Sequence, residues 1–350
     1  MPCPPSPWVR SSSPPGVLAA LDRLRRAFLW AATDKVSGAK CLVSWEQVCR
    51  PKTEGGLGVR SIPTQDSCLL IKLLHRMHCA TDESWPRWVW GAQAGLPLEI
   101  DGANIALLGA HWTSLRRLLP LYRGISRVKL GDGVRTAFWL DWWLPSGPVA
   151  TAMPELFSHC SLQCASVPLT HGLDAVLAPR LSAVASGQRE ALLLLLSSVQ
   201  LSNSVDERTL PLCGKAGGKL STSALYKLCS YGGVLDERHE FVWGNYAPSK
   251  VNFFGWLAVK DRIQSRGNLL RKRILTADES GYPICAATLE TASHIMFGCR
   301  FARRFWSSIG AHPVEHRQIT ATAACSLPPS ALPGSASTLR LLCLWQLWKH

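Results

Sequence analysis

The sequence predicts a mainly α-helical protein with one small β-hairpin near residues 127–140 and a compact helical domain towards its C-terminus. Three observations carry this. Apolar residues recur at intervals of three and four along most long segments, the spacing of a helix face. One stretch, VKLGDGVRTAFW from Val128, instead sets short apolar runs on either side of an Asp-Gly pair, a strong short-range hairpin signal. The apolar fraction of 47% and the charged fraction of 18% over 350 residues are enough to fill real cores.

Taken in order, residues 1–16 (MPCPPSPWVRSSSPPG) are rich in proline and serine, expected to be disordered, and contain no apolar signal core. Residues 17–100 form a helical segment. Its first helix starts near Val17, with Leu18, Leu21, Leu24, Phe28 and Leu29 on the apolar stripe and Arg23, Arg25 and Arg26 facing out. EGGLGVRSIPTQ is a Gly-rich turn with a short extended piece, and QDSCLLIKLLHRMHCA returns to helical spacing from Asp66 or Ser67. Residues 101–170 are the hairpin-containing connection. Residues 171–217 are a helical linker region whose greasiest run, ALLLLLSSVQL, is too short to span a bilayer. After the break CGKAGGK, residues 218–310 make the compact domain, opening on STSALYKLCSY with Ser221 or Ser223 as cap. Residues 311–337 are a linker, and 338–350 (TLRLLCLWQLWKH) an apolar helix cut short without a stop signal.

Lys and Arg number 38 against 24 Asp and Glu, a formal charge of +14 that favours phosphate backbones or acidic surfaces. The thirteen cysteines are odd in number and scattered, so they do not form a disulfide framework. A reduced intracellular protein, nuclear or cytoplasmic and not membrane-bound, is expected. Fifteen tryptophans imply cores dominated by aromatic packing.

The sharpest chemical signal is YPICAATLETASHIMFGC, from Tyr282 to Cys299. Cys285, His294 and Cys299 are soft or borderline donors at zinc-clamp spacing, and Tyr282 stands where a Cys-x2-Cys pair would put a fourth thiolate. A phenol replaces a thiolate poorly, because it is protonated at neutral pH and hard in character. The fourth corner is open to Glu279, Asp278, a water or a distant cysteine such as Cys229. The alternative is a packed helical corner whose thiols are simply buried. A second pattern, HPVEH from His312, fits H-x-x-E-H, but no acidic residue follows Glu315 to complete such a site and Pro313 constrains the helix. GKAGGKLS lacks P-loop spacing, and no adjacent pair of aspartates occurs.

Basic residues interleave with aromatics between 250 and 304. Lys250, Arg262, Arg271, Lys272, Arg273, Arg300, Arg303 and Arg304 are candidate phosphate contacts. The aromatics among them, Phe254 and Trp256 included, have the helical spacing of core residues rather than of a base-stacking platform.

The order of segments resembles a known family. STSALYKL, FVWGNYAPSKVNFFGWLAVKDRIQSRGNLLRKRIL and YPICAATLETASHIMFGCRFARRFW are similar to the reverse-transcriptase zinc-binding domain near the C-terminus of plant LINE-type (non-LTR) retrotransposon polyproteins. Cys285, Glu290, Thr291, His294, Cys299 and Trp306 match the family pattern, and Tyr282 departs from it. Upstream, RRAFLWAATDKVSGAKCLVSWEQVCRPKTEGGLGVRSI looks like the segment after the polymerase core, and VKLGDGVRTAFWLDWWL like the block that follows. The resemblance implies zinc as cofactor, RNA or DNA and retroelement polymerase parts as partners, and no small-molecule substrate. It also implies a non-catalytic accessory region, since the family's polymerase and endonuclease segments lie outside these motifs. The substitution at Tyr282 keeps a second expectation open, a degenerate retrotransposon fragment acting at most as a helical interaction scaffold.

Overall fold

A computed structural model of the chain describes residues 15–79, 110–167, 173–214, 219–285, 289–311 and 333–350. The longer helices are α1 Pro15–Ala31, α2 Ile62–Cys79, α3 Ala110–Ile125, α4 Ala183–Ser197, α5 Thr222–Ser230, α6 Ser249–Val259, α7 Arg300–Ser308 and α8 Pro333–Lys349. Strands β1 Arg127–Lys129 and β2 Glu207–Thr209 pair antiparallel, so the fold is mainly α with one small β element. Among the described residues no helix is long and apolar enough to cross a membrane. The chain divides into two compact units, one of Met1–Pro15 with Ile62–Cys229 and one of Gly16–Ser61 with Ser230–His350.

In the first unit α2 and α3 face each other through Ile71, Leu74 and Met77 on one side and Trp112, Leu115 and Leu119 on the other, with Leu225 of α5 completing the cluster. Helix α2 begins at Ile62, upstream of the Asp66 or Ser67 start expected from spacing. The reason is Pro63, whose fixed φ suits a first turn and whose carbonyl accepts the Ser67 hydroxyl at 3.0 Å. A second core gathers Phe138, Trp139, Trp143, Val149, Leu156 and Leu192.

The β element differs from a local hairpin. The Asp-Gly turn is present, with Gly133 at φ +70, but β1 pairs with residues 207–209 rather than with those after the turn. Long-range polar contacts decide this. Asp206 accepts from the Gly131 and Gly133 amides at 2.8 and 2.9 Å and from the Thr136 hydroxyl at 2.6 Å. Arg208, opposite Val128, carries its guanidinium into the interior, 2.6 Å from the Asp141 carboxylate. Burial pushes the Asp141 carboxyl up, but Arg208 and Arg123 outweigh it and hold the group at about 2. His78 beside them is 2% exposed and kept neutral at pH 7 by burial and by Arg208.

The second unit is built on tryptophan. Trp256 and Trp306, each 1% exposed, pack with Phe254, Leu257, Met296, Phe297, Leu344 and Leu347. Phe254 and Trp256 are therefore core, as their spacing suggests. Residues 16–61, placed by sequence in a 17–100 segment, share this core through Val43 and Val48. The EGGLG turn shows how: the Trp256 indole N–H donates to the Gly55 carbonyl at 2.9 Å, and Glu54 accepts from the Gly232 amide at 2.8 Å. Gly56 has no room for a side chain, since a Cβ there would lie 1.9 Å from the Arg50 carbonyl oxygen.

Helix α1 corrects the expected stripe. Leu21, Leu24 and Phe28 are 43%, 49% and 74% exposed, whereas Ala27 is fully buried and Leu29 and Trp30 pack on the core. A small residue lets the helix approach closely, and the Trp30 ring, 6.3 Å from Phe253, supplies more area than the leucines would.

Candidate metal centre

The three predicted donors converge. Residues 281–285 and 289–299 form a knuckle held by a bridge between Gly281 and Leu289. A single π-helical turn, His294–Gly298, follows and leads into α7. Thr291 begins that turn by accepting the His294 amide on its hydroxyl at 3.1 Å. The Cys299 amide ends it by donating to the His294 carbonyl at 2.8 Å. The wide turn is what brings His294 and Cys299, five residues apart, to one side, and π-turns of this kind recur at functional sites. Trp306 locks the arrangement from α7 by donating to the Met296 carbonyl at 2.8 Å.

The knuckle is clamped from a neighbouring helix, Arg266–Arg271. The Arg266 amide donates to the Glu290 carboxylate at 2.9 Å, the Gly267 amide to the Glu290 carbonyl at 2.9 Å, and the Arg266 guanidinium to the Glu279 carbonyl at 3.1 Å. Glu290 in turn donates its amide to Ser280 at 3.0 Å. Spacing gave Arg266 no role here. Its signal was the Glu-Thr pair before the histidine, in which the glutamate is a clamp and the threonine a cap.

Cys285 Sγ lies 3.1 Å from His294 Nε2, and the donor atoms of Cys285, His294 and Cys299 all lie within 4.8 Å of one another. A tetrahedral zinc–thiolate site has donor–donor edges of about 3.8 Å, so contraction of about 1 Å at the longest separation brings the three onto one ion. Burial lowers the His294 pKa, Arg303 lowers it further and Glu290 opposes. The ring is therefore the neutral imidazole that a metal needs. These three residues fit zinc. Among the described residues the group stops at three.

Tyr282 stands beside the donors, 7% exposed, its ring edge-on to the His294 imidazole at a centroid distance of 5.4 Å. Burial raises the phenol pKa, and the neighbouring Cys299, Glu290 and Cys285 raise it further, so the oxygen keeps its proton at neutral pH. Of the other candidates for a fourth corner, the Glu279 carboxylate accepts from the Thr276 amide and hydroxyl at 3.0 Å. Cys229 belongs to the core of the first unit with Cys68 and Cys213.

Arg300, Arg303 and Arg304 lie exposed on α7, directly after the donor Cys299. Arg271 forms an ion pair with Asp261 at 2.5 Å and also contacts Asn268. Lys272 is half-buried, Arg273 is exposed with φ +56, and Arg262 is exposed just after α6. Lys250, at the start of α6, lies 5.7 Å from the Trp345 ring. Thus the arginines of α7 adjoin the donors in sequence and structure, while the others belong to separate elements. Tyr246, 84% exposed just before α6, is an aromatic that the spacing argument passed over. The H-x-x-E-H pattern at His312–His316 lies outside the described residues.

Comparison with known proteins bears on the same segment. Residues 220–306 match the family model described as zinc-binding in reverse transcriptase. A protein of Arabidopsis thaliana, named provisionally as a ribonuclease H protein, is 31% identical over 143 residues, covering 39% of this chain and 22% of its own length. The chain thus spans about a fifth of the length of the curated relative it matches. No solved structure matches it. The family match, falling on the stretch where Cys285, His294 and Cys299 meet, identifies residues 220–306 as a reverse-transcriptase zinc-binding domain.

Proposed function

We propose that the second unit is a non-catalytic nucleic-acid-binding accessory module of a retroelement reverse transcriptase, stapled by zinc on Cys285, His294 and Cys299. One observation carries this reading. Helix α7 starts at the donor Cys299 and offers Arg300, Arg303 and Arg304 to solvent, so the same turn that gathers the donors sets the angle of a cationic helix. Bound zinc supplies a structural cross-link and no reaction. The chain's own residues do the rest: neutral His294 and the two cysteines ligate, Glu290 and Arg266 hold the knuckle, and the arginines meet phosphates. Trp256 and Trp306, being core, take no part in stacking, and Tyr246, the most exposed aromatic among the described residues, is available to an unpaired base.

The test is the binding of labelled single-stranded RNA and DNA by fluorescence anisotropy across a salt series. Phosphate contacts release counterions, so affinity falls steeply with salt, by about 0.7 in logarithmic slope per contact on a single strand. Replacing Arg300, Arg303 and Arg304 together with alanine should flatten that slope by about 2. A wild-type affinity indifferent to salt defeats the proposal.

Tyr282 favours a second reading, a degenerate element fragment released from selection and serving at most as a helical scaffold. Zinc at one equivalent per purified chain together with salt-dependent RNA binding would defeat it.

A further inference from the structure

Helix α1 has two apolar faces, and the fold uses one. Ala27, Leu29 and Trp30 pack inward, while Val17, Leu21, Leu24 and Phe28 remain 48%, 43%, 49% and 74% exposed. The exposed four are spaced four, three and four apart, which puts them on a single line of the helix surface with the a/d repeat of a coiled-coil seam. Scattered exposed leucines need no explanation, but a continuous seam does. Alongside it runs a groove of about 430 Å³ lined by Leu24, Arg25, Phe28, Leu29, Trp45 and Val59. The Trp45 indole nitrogen at the wall is buried, with no acceptor among the described residues.

We propose that this seam and groove dock an amphipathic α-helix of a partner protein, with acidic residues flanking its apolar stripe. The groove is an open depression beside a line of knobs, and a second helix laid along the seam would seat its apolar side chains there. A lipid surface instead favours a convex apolar face with no such depression. Charge sets the partner's sign. Helix α1 carries Arg23, Arg25 and Arg26 against Asp22 alone, and residues 16–61 hold eight Lys and Arg against four Asp and Glu. Two copies of this surface repel, whereas an acidic helix is attracted and offers carboxylates to the exposed Arg23. The inference is independent of nucleic-acid binding, because none of these residues belongs to the knuckle or to α7.

The probes are two fluorescent 21-residue helical peptides with leucine at every a and d position, one with glutamate and one with lysine at e and g. They are titrated into the full chain without nucleic acid, with anisotropy as readout. The glutamate peptide should bind at least tenfold more tightly than the lysine peptide. Phe28→Glu and Leu24→Glu, both at exposed positions, should each weaken it tenfold or more with unchanged circular dichroism. Arg23→Glu should narrow the preference between the peptides. Sedimentation and flotation with anionic phosphatidylserine vesicles run in parallel. Equal binding of both peptides, or of neither, overturns the proposal. So does a dimer that Phe28→Glu dissolves, or vesicle binding in place of peptide binding.

Discussion

Replacing Tyr282 with cysteine tests the metal centre from both sides. The donors Cys285, His294 and Cys299 already lie within 4.8 Å of one another, and residue 282 stands beside them, so a thiol there supplies the corner that the phenol leaves weak. Structural zinc contributes about 10–16 kcal/mol in small four-ligand domains. A quarter of that, about 2.5–4 kcal/mol, is the share of one ligand and corresponds to roughly 10²–10³ in affinity. The same substitution removes a ring that is 7% exposed, a cavity-forming change costing about 2–4 kcal/mol when no metal is present. Tyr282→Cys should therefore melt below wild type as apoprotein, and saturating zinc should raise its midpoint by more than it raises that of wild type. Competition against a chromophoric chelator reads the affinities, and cobalt substitution reads the number of thiolates from the sulfur-to-metal absorption. Equal affinity in both proteins, with an unchanged thiolate count, would refute the three-donor account and place the fourth donor elsewhere.

Asp141→Asn strands Arg208 in the interior and should destabilise the first unit by about 3–5 kcal/mol in urea titration, whereas the double change Asp141→Leu with Arg208→Met should cost far less than the sum. The same pair makes the first unit acid-sensitive. Asp141 titrates at about 2 when folded and near 3.9 when unfolded, so the unfolded state binds more protons between those values. Its stabilising contribution is complete above about pH 5 and lost as the pH falls towards 2, which circular dichroism of wild type and Asp141→Asn will separate. Gly56→Ala forces a Cβ to 1.9 Å from the Arg50 carbonyl and should cost the second unit about 1–3 kcal/mol, seen as a lower urea midpoint; an unchanged midpoint would show that the turn yields freely.

The convergence of the three candidate donors was legible because its information is local. Ligand chemistry and spacing name Cys285, His294 and Cys299, and a short segment has few ways to bring them together. The clamp was less so: Glu290 and Arg266 meet across 24 residues, and nothing in either neighbourhood names the other. The helical stripe of α1 misled for a related reason. Leu21, Leu24 and Phe28 form the obvious apolar line, yet Ala27 and Trp30 face the core, because periodicity shows that a face is apolar and not which surface covers it. The Asp-Gly turn likewise formed as expected while its strand found a partner at residues 207–209.

The sequence by itself determined the helical class, the three soft donors, the burial of the α6 aromatics and the cationic character of α7, all properties written within a few turns of chain. Only the tertiary structure decided that residues 16–61 complete the core of the C-terminal unit, that Arg208 is buried against Asp141, and that α1 keeps an apolar seam in solvent. Each of those depends on which distant surfaces meet. That choice is made by packing area and buried charge summed over the whole molecule, and no local window contains the sum.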